Sequence, residues 1–113
     1  MKKQNPLNLN ALQCRTLALL QELARHPETS SRSETTGEVD ITQLPHAHGD
    51  HVHVGSFVVS SRDASGFTNP AVWTALNRKS LIRADFPIRL TLTPTGLDYD
   101  TGLGKQFMHD SDH

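Results

Sequence analysis

The chain has 113 residues, with 11 basic and 12 acidic side chains and a formal net charge of −1. This length fits one domain over residues 1–113, and the balanced charge excludes a generic polycation that coats nucleic acid. A single cysteine excludes an intrachain disulfide, and no apolar run approaches the ~20 residues that span a bilayer. Since a polar segment stands where a signal sequence would have its apolar core, we expect a cytoplasmic protein without membrane contact.

The first predicted element is an amphipathic helix over residues 10–26. Its leucines recur at three- and four-residue spacing, as they do on the buried face of a helix. Pro27 follows directly and ends the helix. Residues 27–38 contain no large apolar side chain, which predicts a flexible loop.

Two strands are predicted in the next segment. Residues 39–44 place apolar side chains among polar ones, and Pro45 ends this first strand. Residues 52–60 are rich in valine and predict a second strand. The stretch 45–50 contains Gly-Asp and predicts the loop of a hairpin that joins the two strands.

The second half of the chain predicts a helix, a pair of strands and a short final helix. In chain order these are a helix over 70–79, strands over 81–83 and 88–92 on either side of a turn at 84–87, and a helix over 95–103. Asn69 can cap the first of these helices, and Pro70 stands at its first position, where proline is favoured. The polar tail, 105–113, is predicted to fray. The expected fold class is therefore α+β.

Residues 68–97 carry a pattern of leucines, threonine and glycine. The residues concerned are Leu76, Leu81, Ile82, Leu92, Thr93 and Gly96. This pattern resembles the winged-helix domain of MarR-type transcriptional regulators, in which a recognition helix is followed by a two-stranded wing and a Leu-Thr-x-x-Gly entry into the next helix. Ser80 departs from the family, which usually has glycine there, as a left-handed helix end favours. The resemblance implies a winged-helix-like domain with an additional β-hairpin between the first helix and the recognition-like helix.

Basic residues are concentrated in this same part of the chain. Residues 62–89 contain five basic side chains and two acidic ones, and clustered cations bind phosphates by releasing condensed counterions. The candidate contacts to base edges are Asn69, Thr74 and Asn77, and the candidate phosphate contacts are Arg78, Lys79, Arg83 and Arg89. The sequence thus predicts a small module that binds double-stranded DNA and regulates transcription. Because a monomer of this size makes a small interface, we expect a homodimer formed through the first helix.

A second hypothesis belongs to a different class of function. The near-neutral total charge favours a winged-helix scaffold that contacts a protein partner without binding DNA. An enzyme is not expected, since the sequence contains neither a nucleophile-elbow motif nor a glycine-rich phosphate loop. Cys14 lies in the first predicted helix, where an inert core side chain is more typical than a redox sensor.

A histidine cluster supports a third hypothesis. Four of the seven histidines lie within residues 46–53. Neutral imidazoles bind zinc and other divalent transition metals, and a carboxylate can complete such a site. The candidate ligands are His46, His48, Asp50, His51 and His53. A metal-binding or metal-sensing domain is therefore considered beside two alternatives: a solvated polar hairpin tip, and a patch that changes charge at about pH 6.5.

Overall fold

The computed structural model describes residues 4–103 and 108–110. The helices are α1 (Ala11–Leu23), α2 (Pro70–Arg78) and α3 (Pro94–Asp98), with a 3₁₀ turn at Ser65–Thr68. The strands are β1 (Ser30–Arg32), β2 (Val39–Ile41), β3 (His51–Val54), β4 (Phe57–Ser60), β5 (Ile82–Asp85), β6 (Arg89–Leu92) and β7 (His109–Asp110). All strand pairs are antiparallel, and the predicted α+β class is confirmed.

The larger sheet has the strand order β1-β2-β6-β5. In its centre Val39 lies opposite Leu92 and Ile41 lies opposite Leu90, and all four side chains are buried. The predicted hairpin between residues 39–44 and 52–60 is therefore wrong. Strand pairing follows burial, since β2 completes the apolar face of β6 instead of pairing with the strand that follows Pro45.

The smaller sheet has the order β3-β4-β7. The single strand predicted over residues 52–60 is in fact a hairpin that turns at Gly55 and Ser56. Gly55 has φ +59°, a conformation that glycine adopts without steric cost. His109–Asp110 pairs with β4, so this part of the predicted frayed tail forms a strand. Residues 105–107 and 111–113 of that tail lie outside the described residues.

Strand β1 lies inside the segment predicted to be a loop, 27–38. Its side chains are partly or fully exposed, so burial gives no sequence signal for it. Backbone pairing with β2 forms the strand. Two hydroxyls fix its start, because Thr29 donates to the Leu23 carbonyl at 2.8 Å and Ser30 donates to the His26 carbonyl at 2.8 Å.

Helix α1 forms the centre of the core. Asn10 begins the helix in a capping box with Gln13, in which each side chain accepts a hydrogen bond from the other residue's backbone N–H. Its leucines at 17, 19, 20 and 23 are fully buried, and its one exposed residue is Ala11. The apolar side chains of α1 thus pack inside the domain. The helix therefore offers no exposed apolar face for the expected dimer contact. Within the described ranges no helix is long and apolar enough to cross a membrane.

Helix α3 is shorter than the predicted helix over 95–103. Tyr99 leaves the helix in an extended conformation, and its hydroxyl donates to the Asn5 side chain at 2.6 Å. The Gln21 amide donates to the carbonyls of Gly96 and Tyr99, both at 2.9 Å. Contacts with α1 and the N-terminal segment therefore end the helix early.

Candidate functional site

Helix α2 presents a polar outer face. Its buried side chains are Val72, Trp73 and Leu76, which anchor the opposite face in the core. The predicted DNA contacts Thr74, Asn77, Arg78 and Lys79 are all exposed. Since residues three and four apart lie on one helix face, Thr74, Asn77 and Arg78 form a continuous strip that ends next to Lys79.

Asn69 has a structural role at the start of α2. Its side-chain oxygen accepts a hydrogen bond from the Ala71 backbone N–H at 3.0 Å, and Pro70 occupies the first helical turn. This cap confirms the predicted helix start. The same side chain is a predicted base contact, and its oxygen is engaged in the cap.

The four predicted phosphate contacts divide into two pairs. Arg83 binds Glu38 with both ends of its guanidinium, at 2.7 Å and 2.6 Å, and Arg89 lies 3.7 Å from the Asp40 carboxylate. Among residues 4–103 and 108–110, Arg78 and Lys79 have no acidic side chain at ion-pair distance. Of these four cations, the two at the end of α2 are therefore unpaired within the described residues, and the two of the β5–β6 hairpin have acidic partners.

The Arg83–Glu38 pair changes the acidity of both groups. The hydrogen bonds from Arg83 hold the pKa of the Glu38 carboxyl below its ordinary value, and the same bonds raise the pKa of Arg83. Both groups therefore stay charged near neutral pH. Sequence reasoning missed this pairing because the two residues are 45 positions apart.

The turn between β5 and β6 is apolar. The Phe86 ring packs edge-on against Trp73 with ring centroids 4.8 Å apart, and Ile88 is 84% exposed. These side chains line one wall of a cleft of about 390 Å³, whose other lining residues include Leu44, Pro45, His46 and Phe67. The signal for this cleft in the sequence is the apolar Phe-Pro-Ile run at this turn, between Asp85 and Arg89.

The segment 46–53, called the histidine hairpin below, contains the five predicted metal ligands. Three of their side chains lie together in the structure. His48 forms a β-bridge with His51, and the rings of His48, His51 and His53 have centroids 5.1–6.2 Å apart. Asp50 lies beside them, 3.4 Å from His51 Nδ1, whereas His46 lines the apolar cleft. Within the described part of the chain, no group of three or more His, Cys, Asp or Glu side chains is placed so that it could hold a metal ion.

Cys14 is buried in the core. It is 4% exposed, and its thiol donates to the Leu9 carbonyl at 3.7 Å. Burial raises the pKa of the thiol, and the neighbouring Arg15 opposes this only in part. Because the thiolate is the reactive form, this environment suits an inert core side chain.

Comparisons with known proteins add no family to this description. No protein-family model, curated protein sequence or solved structure matches the chain. The candidate functional surfaces are therefore the outer face of α2, the apolar cleft and the histidine hairpin.

Proposed function

We propose that this chain is a winged-helix module that binds double-stranded DNA through helix α2. The proposal is supported by connectivity, since α2 leads directly into the antiparallel β5–β6 hairpin and then into α3. It is also supported by Ser80, which has φ +61° at the end of α2. The left-handed conformation at this position is the one for which the MarR-type pattern has glycine.

The observation that carries the proposal is the outer face of α2. Its exposed side chains include Ala71 and Thr74, which are small enough to let the helix backbone approach the floor of a major groove. Asn77 offers both a donor and an acceptor to base edges. The cations of Arg78 and Lys79 lie at the same helix end, where they are placed to contact phosphates.

The β5–β6 hairpin has a smaller role in this proposal. A phosphate contact requires a cation that is free to exchange its counterions. Arg83 already has Glu38 as a bidentate partner, and Arg89 has Asp40. The wing therefore supports α2 and adds little phosphate affinity in the native arrangement.

The test measures binding of a labelled random-sequence duplex by fluorescence anisotropy over a range of salt concentrations. The variants Arg78→Ala and Lys79→Ala should each weaken binding and lower the slope of log affinity against log salt by about 1. Arg32→Ala is the matched control, because Arg32 is exposed on edge strand β1 and lies outside α2. Equal losses in all three variants, or no binding by the parent chain, would contradict the proposal.

A second candidate function is contact with a protein partner, and the exposed Ile88 favours it. An apolar, exposed side chain at the tip of the wing beside the cleft is more typical of a protein contact than of a phosphate contact. Such a contact should survive Arg78→Ala and added salt, and it should be lost in Ile88→Asp. DNA binding should instead be weakened by Arg78→Ala and by added salt, and it should survive Ile88→Asp. These results separate the two functions.

A further inference from the structure

Three histidines of the histidine hairpin share one of its faces. Val52 and Val54 are buried, so the alternation of a strand directs His51 and His53 to the other side. His48 lies opposite His51 in the β-bridge, and directly opposed residues of an antiparallel pair project from the same face. The backbone therefore places all three imidazoles together.

The backbone that presents these rings is fixed by hydrogen bonds. The His48 N–H donates to the His51 carbonyl at 2.7 Å. At the turn, the Ser61 N–H donates to the Asp50 carbonyl at 2.9 Å, and the Ser61 hydroxyl donates to the Gly49 carbonyl at 3.2 Å. A ligand of the three rings thus has to reorient side chains and does not have to fold the turn.

The ring separations lie close to those of a zinc site. A tetrahedral Zn²⁺ with imidazole nitrogens at about 2.0–2.1 Å would hold ring centroids about 5 Å apart. The centroids of His51 and His53 are 5.1 Å apart, and those of His48 lie 5.8 Å from His53 and 6.2 Å from His51. Since no group of described side chains could hold a metal ion as placed, binding requires the exposed His48 ring to move inward and the rings to rotate.

We propose that His48, His51 and His53 bind one divalent transition-metal ion, of which Zn²⁺ is the representative. Three neutral imidazoles are a ligand set that suits Zn²⁺, Cu²⁺ and Ni²⁺. A solvent molecule completes the coordination, and Asp50 accepts a hydrogen bond from His51, which orients that ring. His46 is not a ligand, because it lines the apolar cleft.

Metal binding would link two parts of the chain. His48 precedes the turn and the other two ligands belong to β3, so one ion would tie the segment after Pro45 to the small sheet. An ion that binds only the folded state raises the melting temperature by mass action. This site uses no residue of α2, so its test is independent of the proposed DNA function.

The experiment uses the full chain without a histidine tag and titrates it with ZnCl₂ by calorimetry. We expect one ion per chain, and each of His48→Asn, His51→Asn and His53→Asn should lower the affinity at least about tenfold. His46→Asn is the matched control, an exposed histidine of the same segment, and it should retain the parent affinity. Circular dichroism checks that every variant keeps its fold.

A second readout identifies the ligands in the unmodified chain. Imidazole nitrogen resonances of three histidines should shift on addition of Zn²⁺, and the shifts should disappear when a chelator removes the ion. The proposal is overturned if Zn²⁺ binds more weakly than about 100 μM. It is also overturned if His46→Asn loses as much affinity as the three ligand variants, or if a variant that carries His48→Asn, His51→Asn and His53→Asn together binds like the parent.

Discussion

Arg83 and Glu38 form a bidentate ion pair across the larger sheet, with Nε–Oε2 and Nη2–Oε1 distances of 2.7 Å and 2.6 Å. Arg83 lies in β5 and Glu38 immediately precedes β2, so the pair crosses over β6. It joins the two sides of the sheet and pairs one cation of the β5–β6 hairpin with a carboxylate. The charge that DNA would meet on this domain is therefore set by pairing as well as by the number of basic residues.

Replacing Glu38 should release this cation. In Glu38→Gln, Arg83 loses its charged partner and becomes free to contact a phosphate, so affinity for a random duplex at low salt should rise. The slope of log affinity against log salt should steepen by about 0.9, the value for one further phosphate contact. Salt-dependent anisotropy measures both quantities.

The control for this prediction is Glu34→Gln. Glu34 is exposed and, within the described residues, forms no ion pair, so its loss changes the total charge by the same amount. An equal gain in affinity from Glu34→Gln would mean that only total charge matters, which contradicts a specific role for Arg83.

Ser80→Gly should stabilise the domain. Ser80 has φ +61°, where a side chain is strained and glycine is not. We expect a gain of about 0.5–1 kcal/mol in the free energy of unfolding, measured by urea denaturation. Ser31→Gly in strand β1 is the opposite control and should be destabilising, as glycine in a strand usually is.

Gly96→Ala should destabilise the domain. A Cβ at this position would meet the Leu81 carbonyl oxygen, a backbone atom that cannot move aside without shifting the start of β5. Overpacking of this kind costs about 1–3 kcal/mol, and thermal unfolding should show it as a lower melting temperature. Thr95→Ala, at the exposed neighbouring position, should change stability by less than about 0.5 kcal/mol. A melting temperature for Gly96→Ala equal to that of Thr95→Ala would show that this close approach is not rigid.

The Cys14 thiol should resist alkylation in the native state. Burial raises its pKa, so little thiolate forms at neutral pH, and the side chain is also shielded from reagent. Reaction with iodoacetamide should be at least about tenfold slower in buffer than in denaturant, as followed by mass spectrometry. Equal rates in the two conditions would indicate an accessible and reactive cysteine.

The elements predicted well from the sequence are those with local signals. Asn69 and Pro70 mark the start of α2, and the alternation that begins at Ile88 marks β6. The pairing of β2 with β6 has no local signal, because it joins apolar residues from distant parts of the chain. Short polar strands such as Ser30–Arg32 depend on backbone pairing alone, which residue patterns do not reveal.

The candidate site was likewise predictable from the sequence only where its residues follow a local pattern. Exposure of Thr74, Asn77 and Arg78 follows from helix periodicity once the buried face of α2 is known. The roles of Arg83 and Arg89 did not follow, since their acidic partners lie far away in the sequence. Likewise, the alternation of a strand is enough to place His51 and His53 on one face, whereas the position of His48 depends on a bridge that only the fold defines.

DNA binding through α2 is tested first by an amide NMR titration of the labelled chain with a short random duplex at low salt. We predict shifts concentrated in α2 and at Lys79, which diminish as salt is added because phosphate contacts release counterions. The same chain should show no comparable change around Leu44 and Ile88, which line the apolar cleft. Absence of shifts in α2 at high duplex concentration would contradict DNA binding and leave the cleft as the functional surface.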